Sequence, residues 1–459
     1  MNSNFLGLIN RDFFHSLLTS PTLKKNDYSE FFLQYKNTTI YVFNNSSIKY
    51  KASNVDNGIN FSTCKNDYST FSCTGDLSYK SILNIVTPEN HFLEKSDKSP
   101  VFTSDSFIKP FINIDAIVEH ILFSEKESRK NFPEILELNS NLVSDDTDIM
   151  IVNTDDGFIS DDRSKFQYTV TVIAKIEGKI VTGFSGFGRR EISGLTENQI
   201  FLKINSSITN AIRQAHNSVY GKRLIQRSLP VVFDSGLPAT LFHEAIGHGL
   251  EVDNIIQKKS IYSDKIGQRI ANEKVTLVDD ASIQNIGGSQ TYDDEGTLTK
   301  ENILIQDGEL KNYLLDKSSA RALGGISNGS GRRMSFRHNA LPRMSNTYIK
   351  PGIDERSDII NSIEDGVIIK SFGNGRVDTL SGKFTLKILE GYRIRKGKIS
   401  EPIKDNIITG IGSEVINNVS MISNNLQFDN GLGCCNKLSQ VIPVGLGQPT
   451  VKIESINVE

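Results

Sequence analysis

The sequence predicts an α+β protein. An N-terminal α/β portion is followed by a mostly antiparallel β domain that carries one short helix with two histidines. Three observations lead there. Runs rich in aromatic and β-branched residues recur in both halves of the chain, as strands require. Residues 114–130 place Ile114, Ile117, Val118 and Ile121 at helical three- and four-residue steps. After about residue 255, strand-like runs alternate with Gly, Asp and Asn turns.

In chain order, "EFFLQYKNTTIYVFNNSSIKYKAS" reads as short strands within 27–85, and "SYKSILNIV" as a helix near 78–86. The polar "EKSDKSP" at 94–100 reads as a linker. The helix at 114–130 precedes two strands, "FQYTVTVIAKIEGKIVTGFS", turned at "EGK", and a helix near 196–220. "PVVF" is a short strand, "DSG" a turn, and Pro238 suits the start of a helix over 238–252 because its missing N–H costs nothing there. Beyond it, "ILIQDGEL" and "YRIRKGKI" read as hairpins turned at Asp-Gly and Lys-Gly, alongside the strands "KVTLVDD" and "GVIIKSF". The expected divisions are 1–100, 101–224 and 225–459.

Composition narrows the function. Net charge is −3, with 51 Lys+Arg against 54 Asp+Glu, which disfavours bulk nucleic-acid binding. No apolar run approaches the roughly 20 residues needed to span a bilayer. The N-terminus lacks a secretory pattern, so a cytoplasmic location is expected. The cysteines are Cys64, Cys73, Cys434 and Cys435. Cys64 and Cys73 flank a turn-like "KND" and could face each other, but two free thiols in neighbouring strands is the preferred reading.

The chemistry concentrates in "LFHEAIGHGLEVD". On a regular helix, Leu241, Phe242, Ala245, Ile246 and Leu250 form a buried face, while Glu244, His248 and Glu251 cluster opposite. His243 then lies about 140° from His248, too far round for both rings to share one ion. A π-type turn of roughly 4.4 residues would reduce the offset to about 50°. Gly247 and Gly249 would ease such a turn. A local distortion between His243 and Gly249 is therefore expected. The bland reading packs His243 in the core and leaves His248 as a cap. An undistorted helix would instead offer Glu244, His248 and Glu251 as ligands. A soft third ligand is available in "DNGLGCCNKLSQVIPVGLGQPTVKI", where a cysteine on a glycine-rich turn could approach an ion.

These blocks resemble the TldD/PmbA family of peptidases, particularly its catalytic TldD branch. "HEAIGHGLEVD", "YDDEGTLTKENILIQDGELKNYLLD", "GNGRV" followed by "SGKF", "PRMSNTYI" and "CCNKLSQVIPVGLGQPT" are similar to family blocks in the same order. The resemblance is dense over the last 230 or so residues. It implies a metallopeptidase with His243, His248 and Cys435 as ligands and Glu244 as general base, Cys434 being a non-ligand. It implies one divalent metal, zinc first and iron second. It also implies unfolded or leader-containing peptide substrates and a paralogous PmbA/TldE-type partner subunit. Arg343 and Asn346 are candidates for gripping peptide, and Asp294 and Glu295 for binding substrate or orienting ligands. Asn436 stands where the family has glycine, so a positive φ is expected there. The rival readings are a hydrolase using Cys435 as nucleophile and a non-enzymatic regulatory partner, including a modulator of DNA gyrase.

Overall fold

The computed structural model describes residues 10–20, 23–65, 68–86, 113–155, 157–190 and 194–459. The expected linker at 94–100 lies outside them. The fold is α+β, as the sequence predicts.

The first half is built on one large sheet. Its strands are β1 (Tyr28–Asn44), β2 (Ser47–Lys65), β3 (Tyr68–Thr74), β4 (Ile135–Asn153), β5 (Gly157–Asp162), β6 (Lys165–Ile176) and β7 (Lys179–Arg189). They lie in the order β3-β2-β1-β4-β6-β7, with β5 against β4, so the sheet runs across the division expected at residue 100. Helices α1 (Arg11–Leu18), α2 (Tyr79–Val86), α3 (Ile114–Asn131) and α4 (Glu197–Tyr220) accompany it. The core beneath α3 and α4 joins Ile117, Ile121, Ile204, Ile208 and Ala215 to Tyr168, Val170 and Val172 of β6. Helix α4 starts at a full capping box between Thr196 and Gln199. The β6–β7 turn takes positive φ at Glu177 and Gly178, the hairpin geometry expected of "EGK".

Two expectations for this half need correction. The strands over 27–85 are long, 17 and 19 residues in β1 and β2. Their apolar and polar positions do not alternate cleanly, because one end is buried and the other is open. Strands β4 and β5 were not anticipated; the acidic "SDDTDI" in β4 obscures an alternation that pairing with β1 and β6 completes. The cysteine reading needs none: Cys64 pairs with Ser69 and Cys73 with Asn60, so the two are free thiols in neighbouring strands, as preferred from the sequence.

In the second half, β8 (Arg227–Phe233) enters a sheet with Asp365–Val377, Lys383–Arg395, Ile407–Ile411 and Val451–Val458. Pairing of Asp365–Val377 with both β8 and Lys383–Arg395 closes these five strands into a ring. Both Asp-Gly and Lys-Gly hairpins form, with positive φ at Asp307, Gly308, Lys396 and Gly397. Pairing is mostly antiparallel, the exceptions among named strands being β8 with Asp365–Val377 and Asn346–Ile349 with Gly445–Gln448. The core of this half gathers Val231 and Phe233 with Val367, Ile369, Leu386, Ile388 and Ile453. The two-histidine segment packs onto that core.

Candidate metal centre

Strand β8 ends at Phe233, and Gly236 turns the chain at φ +88°, a conformation that suits glycine. Its N–H is bonded to the Gln448 carbonyl at 3.1 Å. A 3-10 turn over Leu237–Ala239, with Pro238 at its start, feeds α5 (Thr240–Ala245). Leu241, Phe242, Ala245 and Ile246 anchor this segment in the core, the face expected of the helix.

The expected distortion is present, but its kind differs. The α-helix stops at Ile246 (φ −123°, ψ −55°), and Gly247–Leu250 continues as a tighter 3-10 helix rather than a π-type turn. The break frees backbone carbonyls, and side chains capture them: Asn254 Nδ2 donates to His248 O at 3.0 Å and Ser260 Oγ to Gly249 O at 2.6 Å. Helix α6 (Val252–Ile256) follows. Neither Gly247 nor Gly249 has positive φ. What they provide is close approach. A Cβ on Gly247 would lie 2.1 Å from Met344 Sδ, and one on Gly249 2.8 Å from the Tyr262 ring.

The break brings the two imidazoles together, with ring centroids 5.2 Å apart. Cys435 reaches them from a hairpin of Cys434–Lys437 and Gln440–Pro443. The thiol therefore sits on a strand, not on the glycine-rich turn. Strand alternation decides between the two cysteines: Cys434 is exposed and Cys435 is buried. Asn436 is extended and pairs with Val441; positive φ falls instead on Leu438 and Ser439.

One ligand atom from each of His243, His248 and Cys435 lies within 4.8 Å of the others. Cys435 Sγ is 3.3 Å from His248 Nε2. Atoms on a tetrahedral zinc with these donors stand about 3.3–3.6 Å apart, so modest closure suffices. The donor set fits a divalent metal on a further count. Both ring nitrogens of His243 are buried and have no hydrogen-bond partner among the described residues, a costly state that a ligand bond relieves. Burial alone would raise the Cys435 thiol, but the neighbouring His243 and His248 outweigh it and bring it down to about 5. Ala239, Ile442 and Val444 line the sulfur with apolar surface.

His248 turns its other nitrogen to a carboxylate. Nδ1 lies 3.0 Å from Glu251 Oε2, leaving Nε2 to face the sulfur. Burial opposes a charged ring, yet Glu251 holds His248 well above its ordinary value. Glu251 is fully enclosed; burial would raise it, but His248 and Lys437 hold it at about 2. Lys437 Nζ bonds Glu251 at 2.9 Å and Asp253 at 2.8 Å. The alternative ligand set of Glu244, His248 and Glu251 is thereby corrected, because Glu251 lies on the far side of the ring from the sulfur and is already paired. Lys437 was missed; its only signal was its place two residues beyond Cys435, on the same strand face. Glu244 Oε2 stands 3.7 Å from His248 Nε2, and its side chain keeps 30% of its surface exposed.

The other candidate residues are placed differently. Arg343 is wholly buried and donates to the carbonyls of Cys435 (2.8 Å) and Gln440 (3.2 Å), one on each strand of the hairpin; its Nε is 4.0 Å from Glu251. Asn346 is wholly buried and bonds Gly288 N–H and Asp280 O. Asp294 accepts from Arg163 and from the Arg333 N–H, and Glu295 from the Lys317 N–H. Arg333 also pairs with Glu30 of β1, so this buried network ties the two halves together. None of the four is hydrogen-bonded to a His243, His248 or Cys435 side chain; Arg343 reaches Cys435 only through its backbone.

Comparison with known proteins places the chain in a family. Residues 226–459 match the model of the PmbA/TldA metallopeptidase C-terminal domain. A metalloprotease TldD homolog of Buchnera aphidicola (subsp. Acyrthosiphon pisum) is 35% identical over 450 residues, covering 94% of this chain and 92% of that protein. One of Haemophilus influenzae is 30% identical over 452 residues, with the same coverage of both chains. Among solved structures, TldE of Thermococcus kodakarensis shares the fold at TM-score 0.70 and 16% identity, covering 95% of this chain and 97% of that one. By sequence along nearly its whole length, the chain belongs to the PmbA/TldD family of metallopeptidases.

Proposed function

We infer that this chain is a peptidase of the His-Glu-x-x-x-His type, acting on unfolded or leader-containing peptides with Glu244 as general base. The observation that carries the reading is the meeting of His243, His248 and Cys435 within 4.8 Å, with a partly open carboxylate beside them. Two imidazoles and a thiolate would hold one divalent cation, zinc before iron, and a Saccharolobus solfataricus relative 29% identical over 309 residues is named a zinc metalloprotease. Such a cation supplies Lewis acidity toward a water and the scissile carbonyl.

The protein's own groups do the rest. Glu244 Oε2 takes the proton of the attacking water and returns it to the leaving amine. Glu251 orients His248 and strengthens it as a donor, while Lys437 balances the buried carboxylate. Arg343 pins both strands that present Cys435. We read Arg343, Asn346, Asp294 and Glu295 as positioning groups, because each is buried and hydrogen-bonded within the protein. Pairing with a paralogous subunit that lacks the His-Glu motif belongs to the same proposal, supported by the shared fold of TldE. A cytoplasmic site of action accords with the described residues, in which no helix is long and apolar enough to cross a membrane.

A cysteine-nucleophile hydrolase is the weaker reading. Cys435 is 1% exposed, and a nucleophile must reach its substrate. Metal analysis of the purified chain beside Cys435→Ala, with cleavage of an unfolded protein followed in Glu244→Gln, tests the proposal. Wild type should carry about one metal and Cys435→Ala far less. Glu244→Gln should keep its metal and lose about 10²–10⁴-fold in rate. Full activity after exhaustive chelation, or in Glu244→Gln, would overturn it.

A further inference from the structure

We propose that the substrate peptide is anchored through a carboxylate, at its C-terminus or on an acidic side chain, by Arg190 at the outer face of the Cys435 hairpin. The proposal rests on the peptidase reading and names the class of peptide that the chain selects.

The end of β7 and the hairpin are held side by side. Gly188 N–H bonds Asn430 O at 2.7 Å, and Gly431 crosses Gly188 so closely that a Cβ there would lie 2.2 Å from Gly431 O. Arg190 follows two residues beyond Gly188, as Cys434 follows three beyond Gly431. Lys165 of β6 feels both Arg190 and the Cys434 thiol, which places the three together. Across the hairpin, Arg332 donates to Pro443 O at 2.8 Å, and Pro443 pairs with Cys434. Cys434 and Cys435 point to opposite faces of their strand. The cations therefore lie on one face of the hairpin and the metal centre on the other.

The charges here do not balance. Arg163 engages Asp161 and Asp294, each at 2.9 Å. Both carboxylates take further bonds, Asp161 from the Thr291 N–H and Asp294 from the Arg333 N–H. Asp145 is paired with Lys36 at 3.3 Å. Arg332 spends its donors on the Met344 and Pro443 carbonyls. Arg190 is left over. Its Nε is buried without a hydrogen-bond partner, and no carboxylate among the described residues is within ion-pair reach of it. Burial, with Arg163 and Arg332 nearby, brings Arg190 down to about 9 against the pull of Asp161 and Asp294. A guanidinium nevertheless keeps its proton at working pH, so a charge stands here without its counterion.

The side chain as a whole is only half-buried. With Nε closed off, the Nη1–Nη2 edge is the one left to bind, and that edge matches a carboxylate with two parallel bonds. Lys165, half-buried and lowered by burial despite Asp145, adds a second positive charge beside it. A peptide offers one kind of anion, its carboxylates, and these occur at its C-terminus and on Asp and Glu.

Fluorescence anisotropy of dansyl-labelled decapeptides of Ala, Gly and Ser, titrated with the metal-loaded Glu244→Gln chain, tests the anchor. The peptides carry a free or amidated C-terminus, and a central Glu or Gln. At least one carboxylate-bearing peptide should bind about ten-fold or more tighter than the amidated Gln peptide, the scale of a charge-assisted bidentate bond; which one binds identifies the source of the carboxylate. Adding Arg190→Gln should reduce that peptide to the affinity of the neutral one and leave the neutral one unchanged, while Arg190→Lys should recover part of the preference. Arg190→Gln should melt no lower than its parent, because it removes a charge that the fold leaves unpaired. Equal affinity for charged and neutral peptides, or no binding of either, overturns the proposal. So does an Arg190→Gln variant that weakens every peptide alike, which would make Arg190 a structural group. The readout is binding, so failed cleavage by the wild type with this preference intact would count against the peptidase reading and not against the anchor.

Discussion

Replacing Glu251 with glutamine removes a charge from behind the metal centre while keeping the side chain's shape. Glu251 Oε2 accepts from His248 at 3.0 Å and Lys437 at 2.9 Å, and an amide oxygen in the same place can still accept both. The lost quantity is the negative charge that makes His248 a stronger donor. Outer carboxylates of this kind contribute about 10–100-fold to metal affinity, or about 1.4–2.7 kcal/mol. Folding suffers separately. Breaking a buried ion pair costs about 3–5 kcal/mol when a charge is left bare. Lys437 keeps Asp253 at 2.8 Å, so the lower end, about 3 kcal/mol, is expected. A second substitution separates the two effects. Glu251→Gln with Lys437→Met removes both members of the pair, so it should regain much of the stability and none of the affinity. Zinc affinity is measured by competition with a chromophoric chelator, and stability by urea unfolding. Affinity within two-fold of wild type in Glu251→Gln would refute the role assigned to Glu251. Recovery of affinity in the double variant would show that Lys437, not the ring, was the affected group.

Three further outcomes follow from the geometry. Cys434→Ala should bind metal as wild type does, whereas Cys435→Ala should not, because alternation along the strand buries only Cys435; metal content of the two purified variants checks this. Gly247→Ala should destabilise the fold by about 1–3 kcal/mol, the usual cost of overpacking, since its Cβ would lie 2.1 Å from buried Met344 Sδ; a melting curve like that of wild type would contradict the close-approach argument. Glu125 is raised to about 7 by burial, against lowering bonds from Ser140 and the Ser46 N–H. Between about pH 4.5 and 7 the folded chain keeps a proton that the unfolded chain has released, so stability falls as pH rises through that window and levels off above it. Glu125→Gln should flatten the slope, a difference of up to about 3 kcal/mol between urea unfolding at pH 5 and pH 8. Parallel slopes for both proteins would disprove it.

The sequence alone determined what depends on near neighbours. Helical spacing marked α3, and Gly-containing turns marked three hairpins, because each of these is decided by a few adjacent side chains and backbone angles. The buried face of α5 was readable for the same reason, and five-residue spacing already demanded that the helix fail between His243 and Gly249. Tertiary structure decided how it fails. Met344, Tyr262, Ser260 and Asn254, all distant from the two histidines or beyond the break, select a 3-10 continuation by packing on the glycines and capturing the freed carbonyls. Long-range pairing likewise set the fate of Arg343, Asn346, Asp294 and Glu295. Their polarity suggested a surface facing substrate, but strand register and the docking of β1 turn them inward, where buried polar groups find partners. The closing of the strand ring is of the same kind, since no local pattern encodes that the strand after residue 365 meets both its neighbours at once.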